Sequence, residues 1–210
     1  MEDVLEVYRR PFDPLRPVVC VDEASKQLVA DVTPARPMQP GQPMRQDYEY
    51  ERCGTANLFM VCQPLAGWRH VKVTDRRTDD DFANLLRDIS ENHFREAEKI
   101  VLVLDNLSTH KLSVLYRVLP PQEARRLYER FEIHYTPKHA SWLNIAECEL
   151  SALGRQCLAR RIDDQQFLTT EVEAWERRRN DEDVRVDWQF TASDARIKLK
   201  RLYPMLVPAD

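Results

Sequence analysis

The stretch VLVLDNLSTH, residues 101–110, joins four apolar residues directly to an aspartate, Asp105. An unbroken run of Val and Leu is typical of a strand that is buried on both faces, as in the middle of a parallel or mixed sheet. A carboxylate at the end of such a strand is costly to bury unless another group compensates its charge. The stretch therefore predicts an internal strand and a charged site at its carboxyl end.

A second apolar strand has the same ending, because VVCVD, residues 18–22, closes on Asp22. Functional sites in α/β sheets collect at the carboxyl ends of strands, where neighbouring strands can bring two carboxylates together. Two close anions repel each other, and a divalent cation between them would remove that repulsion. An all-oxygen set of ligands completed by a third acid would suit Mg²⁺ or Mn²⁺.

Candidates for the third acid lie in LNIAECE, residues 143–149, on a predicted helix. Glu147 and Glu149 are two residues apart and therefore point in very different directions, so only one of them can easily face the site. Asn144 and Glu147 are three residues apart and share a helix face. We therefore favour Glu147.

Ordinary structural roles compete with this interpretation. An aspartate at the end of a strand is common as a turn former or helix cap, and Asp105 followed by Asn106 fits that role as well. Asp22 is followed at once by Glu23, and neighbours on a strand face opposite sides. Only one of these two acids can point inward with Asp105.

The apolar periodicity predicts an α/β fold with a mixed sheet and packed helices, in the order β-β-β-α-β-α-β-α-α. Residues 18–24 and 27–32 read as a hairpin, and a second hairpin turns at PLAG, residues 64–67. Residues 79–94 read as a helix, with acids in the first turn, where a helix dipole favours them. A short helix is expected within residues 1–10.

Composition excludes several classes of protein. The 210 residues include only four glycines and contain neither GxGxxG nor GxxxxGK[ST], which argues against a dinucleotide or P-loop site. The net charge of −4 and a pI near 5.8 argue mildly against simple nucleic-acid binding. Basic residues nevertheless gather late in the chain, in RRI, ERRRN and RIKLKR, and these runs could follow phosphates.

The five cysteines show no CxxC or Cys/His metal spacing, so we expect reduced, mostly buried thiols and no zinc site. The chain has no apolar run of 18 residues, and its first residues, MEDVLEVYRRPFDP, carry acids and arginines where a signal peptide would need an apolar core. A soluble protein of the cytoplasm, without membrane contact, is the expectation.

Five blocks of sequence, in order, resemble the catalytic half of a bacterial transposase of the insertion sequence 630 family, within the mariner-like superfamily. They are VVCVDEASKQL, GWRHVKVTDRRT, AEKIVLVLDNLSTH, HYTPKHASWLNIAECELSALGRQCLARR and DARIKLKRLYP. The resemblance covers essentially the whole chain. It implies an RNase H-like fold, with residues 1–17 as an N-terminal helix and linker remnant and residues 18–210 as the catalytic domain.

The resemblance also implies an Asp-Asp-Glu triad. The first acid of the family lies in a strand motif that matches CVDEA, which assigns it to Asp22 rather than Glu23. The second opens a D-N-x-x-x-H motif, here Asp105 with Asn106 and His110 in supporting positions. The third belongs to an L-N-x-x-E pattern, which assigns it to Glu147, with Asn144 in support; the family often has proline where this chain has Ile145.

The activity implied is cleavage of phosphodiesters at element ends and joining of 3′-hydroxyl ends to target DNA. Two Mg²⁺ ions, or Mn²⁺, held by the triad would activate the nucleophile and stabilise the leaving oxygen. Paired element ends imply a homodimer when active. Family members also carry an N-terminal helix-turn-helix region, so we expect either a separately encoded half that recognises DNA or a truncated element.

Several further residues are candidates for DNA contacts: Lys138, His139, Trp142, Arg160 and Arg161. Each has a plainer alternative, since a lysine or histidine in a loop can simply be solvated, a tryptophan can pack, and charge runs are usually solvated helix faces. His110 could touch a phosphate or only cap the next helix.

Two other functions compete with the active transposase domain. A truncated remnant could fold and bind DNA or a full-length transposase without transposing. A different RNase H-like nuclease, for Holliday junctions or RNA–DNA hybrids, is a third possibility, although the LNIAE and KLKRLYP blocks argue against it. An aspartyl phosphatase would need D-x-D-x-[TV], which VDEAS does not match.

Overall fold

A mixed five-stranded sheet organises the computed structural model, which describes residues 1–106, 111–138 and 140–203. The strands are β1 (Val18–Asp31), β2 (Tyr50–Gln63), β3 (Trp68–Thr74), β4 (Ile100–Leu104) and β5 (Phe131–Tyr135). Their order in the sheet is β3-β2-β1-β4-β5. The first three strands pair antiparallel, whereas β4 runs parallel to both β1 and β5. The mixed sheet predicted from the sequence is confirmed.

Helices cover both faces of this sheet, as an α/β fold requires. They are α1 (Glu2–Tyr8), α2 (Asp79–Asp88), α3 (Leu115–Val118), α4 (Pro121–Arg130), α5 (Ile145–Gln156), α6 (Gln165–Asp181) and α7 (Ala192–Lys198). One core lies on the side of α1, α5, α6 and α7, here called the α5 face, and the other lies on the side of α2, α3 and α4, the α2 face. No helix in the described part of the chain is long and apolar enough to cross a membrane.

The apolar run that ends at Asp105 is buried on both sides. Val103 packs into the core of the α5 face, while Leu102 and Leu104 pack into the core of the α2 face. All five residues of β4 are buried, because the strand lies between β1 and β5 with helices above and below it. This placement explains why the sequence of β4 shows no alternation of polar and apolar residues.

The predicted hairpin between residues 18–24 and 27–32 is wrong. These residues form one continuous strand, β1, which pairs along its length with β2. The intervening residues include no Gly, Pro, Asn or Asp that would favour a tight turn, so the strand continues. Its outer half leaves the core, where Ser25 and Gln27 are exposed to solvent. The PLAG hairpin is confirmed, with a left-handed Gly67 (φ 62°) ending a short 3₁₀ turn.

All five cysteines are free thiols. Cys20 and Cys62 are buried and lie opposite each other on β1 and β2. Cys53 and Cys148 are exposed, so the expectation of mostly buried thiols holds for only part of the set. Cys53 lies in the outer end of β2, where residues 50–55 are all exposed, and it is the extra residue of a bulge at which the register shifts between Leu28 and Val29.

The N-terminal helix α1 is built into the core rather than lying outside it. Val4, Leu5 and Val7 are almost fully buried in the α5 face. At its end, the Tyr8 hydroxyl donates to the carbonyl of Leu143 at 2.7 Å and accepts from the Ile145 amide at 3.4 Å. The helix therefore supports the start of α5. The domain boundary at residue 17 stays a prediction.

We expect Tyr8→Phe to lower the free energy of unfolding by about 1–3 kcal/mol, since it leaves a buried carbonyl without its hydrogen-bond donor. Urea unfolding followed by circular dichroism measures the change. The control is Tyr128→Phe on α4, where the tyrosine is exposed and the same change should cost less than about 0.5 kcal/mol. Equal effects of the two substitutions would contradict the supporting role of Tyr8.

Candidate active site

Asp22 and Asp105 lie side by side on two adjacent parallel strands, with Asp22 within β1, just beyond the part that pairs with β4, and Asp105 directly after the end of β4. β1 and β4 pair with Val18 opposite Val101 and Cys20 opposite Val103. Extending this register by two residues sets Asp22 opposite Asp105. Neighbouring strands are about 4.8 Å apart, so the two backbones hold the carboxyl groups within reach of a common ligand.

Alternation along the strands assigns both aspartates to the α5 face. Cys20 and Val103 belong to the core of that face, and side chains two residues further along point to the same side. Glu23 points to the other side, where its carboxylate is nearly buried and lies 4.0 Å from Arg77. Asp22, rather than Glu23, shares a face with Asp105.

Asn144 fastens the start of α5 to β1 beside these aspartates. Its side-chain oxygen accepts from the Ala146 amide at 3.1 Å and so caps the helix, while its amide group donates to the Val21 carbonyl at 2.9 Å. The side chain is fully buried, which makes both bonds expensive to break. Since Glu147 lies in the first turn of α5, three residues after Asn144, this cap brings Glu147 towards the part of β1 that carries Asp22.

The pKa of Asp22 reflects the proximity of the other acids. The pKa of the Asp22 carboxyl is raised to about 7, mainly by burial and in addition by the negative charges of Asp105, Glu23 and Glu147, while the hydrogen bond from the Glu23 amide acts in the opposite direction. That amide donates to Oδ1 of Asp22 at 2.9 Å. Three carboxylates on the α5 face therefore act on one another.

The oxygen atoms of this cluster suit a divalent cation. The buried Oε2 of Glu147 accepts no hydrogen bond from the described residues. Within the same part of the chain, no salt bridge reaches Asp22 or Glu147. A cluster of carboxylates with surplus negative charge and a buried oxygen atom fits Mg²⁺ or Mn²⁺, which prefer oxygen ligands.

Glu149, the alternative acid on α5, has a different environment. It is buried and its two oxygens lie 3.1 Å from Nε of Arg69 and 3.1 Å from Nη2 of Arg179. These contacts make Glu149 the counter-ion of two arginines inside the protein. Of the two glutamates compared from the sequence, Glu147 is thus the one without such a partner in the described structure.

Arg69 is a buried residue that the sequence analysis missed. Its guanidinium is 1% exposed and donates to the carbonyl groups of Gly67, Arg179 and Val184, besides its ion pair with Glu149. The interaction joins β3, α5, α6 and the segment after α6. A lone arginine in the apolar alternation of WRHVKV is the signal that could have drawn attention to it.

The supporting residues are only partly described. Asn106 follows Asp105 directly and is exposed, and Lys138 is exposed in the turn that precedes α5. His110 and His139 lie outside the described residues. Their predicted roles, like that of Lys138 in DNA binding, stay predictions.

Trp142 both packs and remains accessible. Its ring stacks on Trp188 with centroids 6.4 Å apart and meets Phe190 edge-on at 5.8 Å, yet it is 41% exposed. The arrangement supports the packing role and leaves one side of the ring open to solvent. Contact with DNA through Trp142 stays a prediction.

The two arginines predicted to bind DNA differ in their contacts. Arg160 is exposed and forms an ion pair with Glu171. Arg161 donates to the carboxylate of Asp31 at 2.5 Å and to the carbonyl groups of Asp47 and Glu49. Arg161 thus holds the outer end of β1 against the loop before β2, and Arg160 is the more accessible of the pair.

Comparisons with known proteins identify the family of this chain. Residues 17–169 match the family model described as DDE superfamily endonuclease. The matched region covers most of the chain and contains Asp22, Asp105 and Glu147. No curated protein matches the chain in sequence.

Solved structures of the Mos1 mariner transposase share the fold. The paired-end complex with Mn superposes with a TM-score of 0.56 at 17% identity, over 86% of this chain and 54% of that one. The strand transfer complex gives 0.55 at 14% identity, over 86% and 57% of the two chains, and the paired-end complex with the left transposon end gives 0.55 at 14%, over 87% and 60%. The RNase H-like fold predicted from the sequence is therefore confirmed. The chain spans little more than half the length of these transposase chains.

The two glutamates of α5 provide a matched pair for testing the site. We expect Glu149→Gln to lower the free energy of unfolding by about 3–5 kcal/mol, because it leaves the buried Arg69 without its counter-ion. Glu147→Gln should leave stability unchanged or raise it, since it removes one of the mutually repelling charges. Chemical denaturation at pH 8 in EDTA measures both, and a large loss in Glu147→Gln would argue for a structural role instead.

We expect Asp22→Asn to stabilise the metal-free protein in a pH-dependent way. The pKa of Asp22 is about 7 in the folded chain against 3.8 as its ordinary value, so ionisation opposes folding. This cost is absent below about pH 4, grows as the pH rises and is fully present above pH 7. The stability advantage of the variant should widen by about 2 kcal/mol between pH 5 and pH 8.

Urea unfolding at the two pH values, in EDTA, measures that advantage. The exposed Asp163 serves as the control site, where replacement by Asn should change stability by less than about 0.5 kcal/mol at either pH. An advantage of Asp22→Asn that is constant with pH would show that ionisation of Asp22 does not oppose folding.

Proposed function

Because this chain belongs to the DDE superfamily endonuclease family, we propose that it is the catalytic domain of a metal-dependent DNA transposase. Its reaction is cleavage of phosphodiesters at element ends, followed by joining of 3′-hydroxyl ends to target DNA. The observation that carries the proposal is the approach of Asp22, Asp105 and Glu147 on one face of the sheet. The five blocks of sequence support the finer assignment to the insertion sequence 630 family.

Asp22, Asp105 and Glu147 are the proposed ligands of two Mg²⁺ or Mn²⁺ ions. When bound, the ions would lower the pKa of a water molecule or DNA 3′-hydroxyl and stabilise the leaving oxygen. One structural neighbour, the Mos1 mariner paired-end complex, is a complex with Mn, which supports a divalent ion for this fold. The buried Oε2 of Glu147, which accepts no hydrogen bond from the described residues, supports it from this chain.

Each residue of the triad is held in place by the fold in addition to carrying a charge. Asp22 lies within β1 and Asp105 directly follows β4, and both strands are packed on both faces where they pair, so the two backbones have little freedom. Glu147 lies on a helix whose first turn Asn144 bonds to β1. Such pre-organisation places the reacting groups before substrate arrives, which lowers the entropic part of the barrier. Because the pKa of Asp22 is about 7, the residue must lose a proton to bind cations near neutral pH.

DNA is the proposed partner, as both transposon ends and target. The neighbouring structures are transposase complexes with transposon ends and a strand transfer complex, which supports this partner. Lys138, Trp142 and Arg160 are exposed and are the described candidates for DNA contact. The proposed partners also include a second copy of the chain, in a homodimer that pairs two transposon ends, and a separately encoded half with a helix-turn-helix.

A cleavage assay with a pre-nicked terminal-repeat duplex tests the function. In Mg²⁺ or Mn²⁺ the wild-type chain should cleave, and Asp105→Asn and Glu147→Gln should each reduce the rate by about 100-fold or more, because each removes charge where the transition state needs it. The control is Glu173→Gln, an exposed residue of α6, which should cleave like the wild type. Circular dichroism confirms that the variants are folded.

Three other outcomes of the cleavage assay would lead to different conclusions. Equal cleavage by wild type and both triad variants would overturn the assignment of the site. Absence of cleavage by the wild type at every concentration would favour the truncated remnant that binds DNA or a full-length transposase without transposing. Cleavage of an RNA–DNA hybrid in preference to duplex DNA would favour a different RNase H-like nuclease.

A further inference from the structure

Two histidines and an aspartate come together on the α2 face, away from the carboxylate cluster. They are His70 on β3, Asp88 at the end of α2 and His93 just after it, and one potential ligand atom from each lies within 4.8 Å of the other two. The His70 and His93 ring centroids are 4.6 Å apart, and Nε2 of His93 lies 3.6 Å from Oδ2 of Asp88. We propose that this cluster binds one Zn²⁺ or a similar transition-metal ion.

The distances suit a tetrahedral ion. Ligand atoms about 2.0–2.2 Å from Zn²⁺ are roughly 3.3–3.6 Å from one another in tetrahedral geometry. The contact between His93 and Asp88 already meets this separation. The three side chains are about one quarter exposed, so an ion can reach them and water can take the fourth position.

A change in helix type brings Asp88 and His93 together. The residues are five apart, and in an α-helix that spacing would separate them by about 140° around the axis. After Asp88, however, the chain forms a π-turn over Ile89–His93, closed by the bond from the Phe94 amide to the Ile89 carbonyl at 2.9 Å. Hydrogen bonding to the fifth residue stacks positions five apart, and such π-turns are frequent at functional sites.

His70 is held with one nitrogen ready for a metal. Its Nδ1 lies 3.2 Å from Oε1 of Glu176, and the other oxygen of Glu176 accepts from the Val71 amide at 2.8 Å. The carboxylate therefore favours a proton on Nδ1 and leaves the lone pair of Nε2 free. Orientation of a ligating histidine by a second carboxylate is the usual arrangement around protein-bound metals.

The other two ligands are similarly prepared. Asn92 donates to Oδ1 of Asp88 at 2.6 Å, which leaves Oδ2 directed at His93. Nε2 of His93 lies 3.6 Å from that oxygen, so these two potential ligand atoms already face each other. Trp68 packs against the His93 ring with centroids 5.0 Å apart and forms an apolar wall.

This cluster is separate from the carboxylates of the candidate active site. β3 is two strands away from β1, and His70 is on the side of Trp68, which packs against the α2-face core. Asp22 is on the α5 face. One ion cannot serve both sites, and an ion at the histidine cluster would instead join the end of α2 to the edge strand β3.

Titration of the full chain with Co²⁺ and Zn²⁺ tests the proposal. The background carries Asp22→Asn and Glu147→Gln, which remove the carboxylate cluster, and Cys53→Ser and Cys148→Ser, which remove the exposed thiols. We expect one equivalent of Co²⁺ with the intense visible bands of a tetrahedral ion, displaced by Zn²⁺, and a rise in melting temperature with Zn²⁺.

Three further variants make the test specific. His93→Gln should weaken binding by more than about 100-fold, beyond the 10–100-fold loss that is typical of an outer-shell change. In Glu176→Gln the side-chain oxygen must still accept from the Val71 amide, so its NH₂ faces Nδ1 of His70, moves the proton to Nε2 and should weaken binding at least about tenfold. The control is His134→Gln, whose two ring nitrogens each contact a different carboxylate, Asp3 and Glu132, and it should bind as the background does.

Circular dichroism of each variant without metal establishes that it is folded, and Glu176→Gln keeps all three ligands should His93→Gln prove unstable. Absence of Co²⁺ and Zn²⁺ binding by the background at micromolar concentrations would overturn the proposal. Binding that His93→Gln and Glu176→Gln leave unchanged would overturn it equally. Because the background lacks two triad acids, neither result depends on whether the chain cleaves DNA.

Discussion

Repulsion among three carboxylates is the physical constraint that the packing of the α5 face has to overcome. Burial and the charges of its neighbours raise the pKa of Asp22 to about 7, so keeping these groups together costs the folded chain free energy. The packing of the surrounding strands and helices must offset this electrostatic cost. β1 and β4 are covered on both faces, and the buried Asn144 bonds the first turn of α5 to Val21. Tyr8 then fixes the turn before α5 from the side of α1, so a helix far away in sequence helps to hold the site.

The two glutamates of α5 are two residues apart and have opposite electrostatic surroundings. Glu149 is buried against Arg69 and Arg179, and its charge is compensated inside the protein. Glu147 has a buried oxygen without a described donor and lies beside other acids. A buried charge whose partner is present contributes to the fold, whereas a cluster of like charges contributes only when a ligand joins it. The same helix therefore carries one glutamate that contributes to the fold and one that is proposed to bind a metal ion.

Sequence patterns predicted those features of the structure that depend on residues close together in the chain. The apolar runs that lead to Asp22 and Asp105, the helical spacing of Phe82, Leu85 and Leu86, and the shared face of Asn144 and Glu147 could all be recognised from the sequence. What the patterns missed depends on contacts between distant segments. Arg69 has its ion-pair partner, Glu149, 80 residues away. The strand break proposed near Ser25 was wrong because pairing with β2 outweighs a weak local preference. The π-turn after Asp88 is likewise invisible to a search for helical periodicity, since the apolar residues on either side still fit one face.

The sheet itself separates two kinds of ligand chemistry. On the α5 face the cluster offers carboxylate oxygens, which suit hard ions such as Mg²⁺ and Mn²⁺. On the α2 face it offers two imidazoles and one carboxylate, a set that suits Zn²⁺. Zn²⁺ binds most nitrogen and oxygen sites more tightly than Mg²⁺ or Mn²⁺ does, so affinity alone would not keep it from an all-oxygen site. The nitrogen ligands that Zn²⁺ favours therefore lie on the opposite side of the sheet from the carboxylates, so the two clusters differ in both position and ligand type.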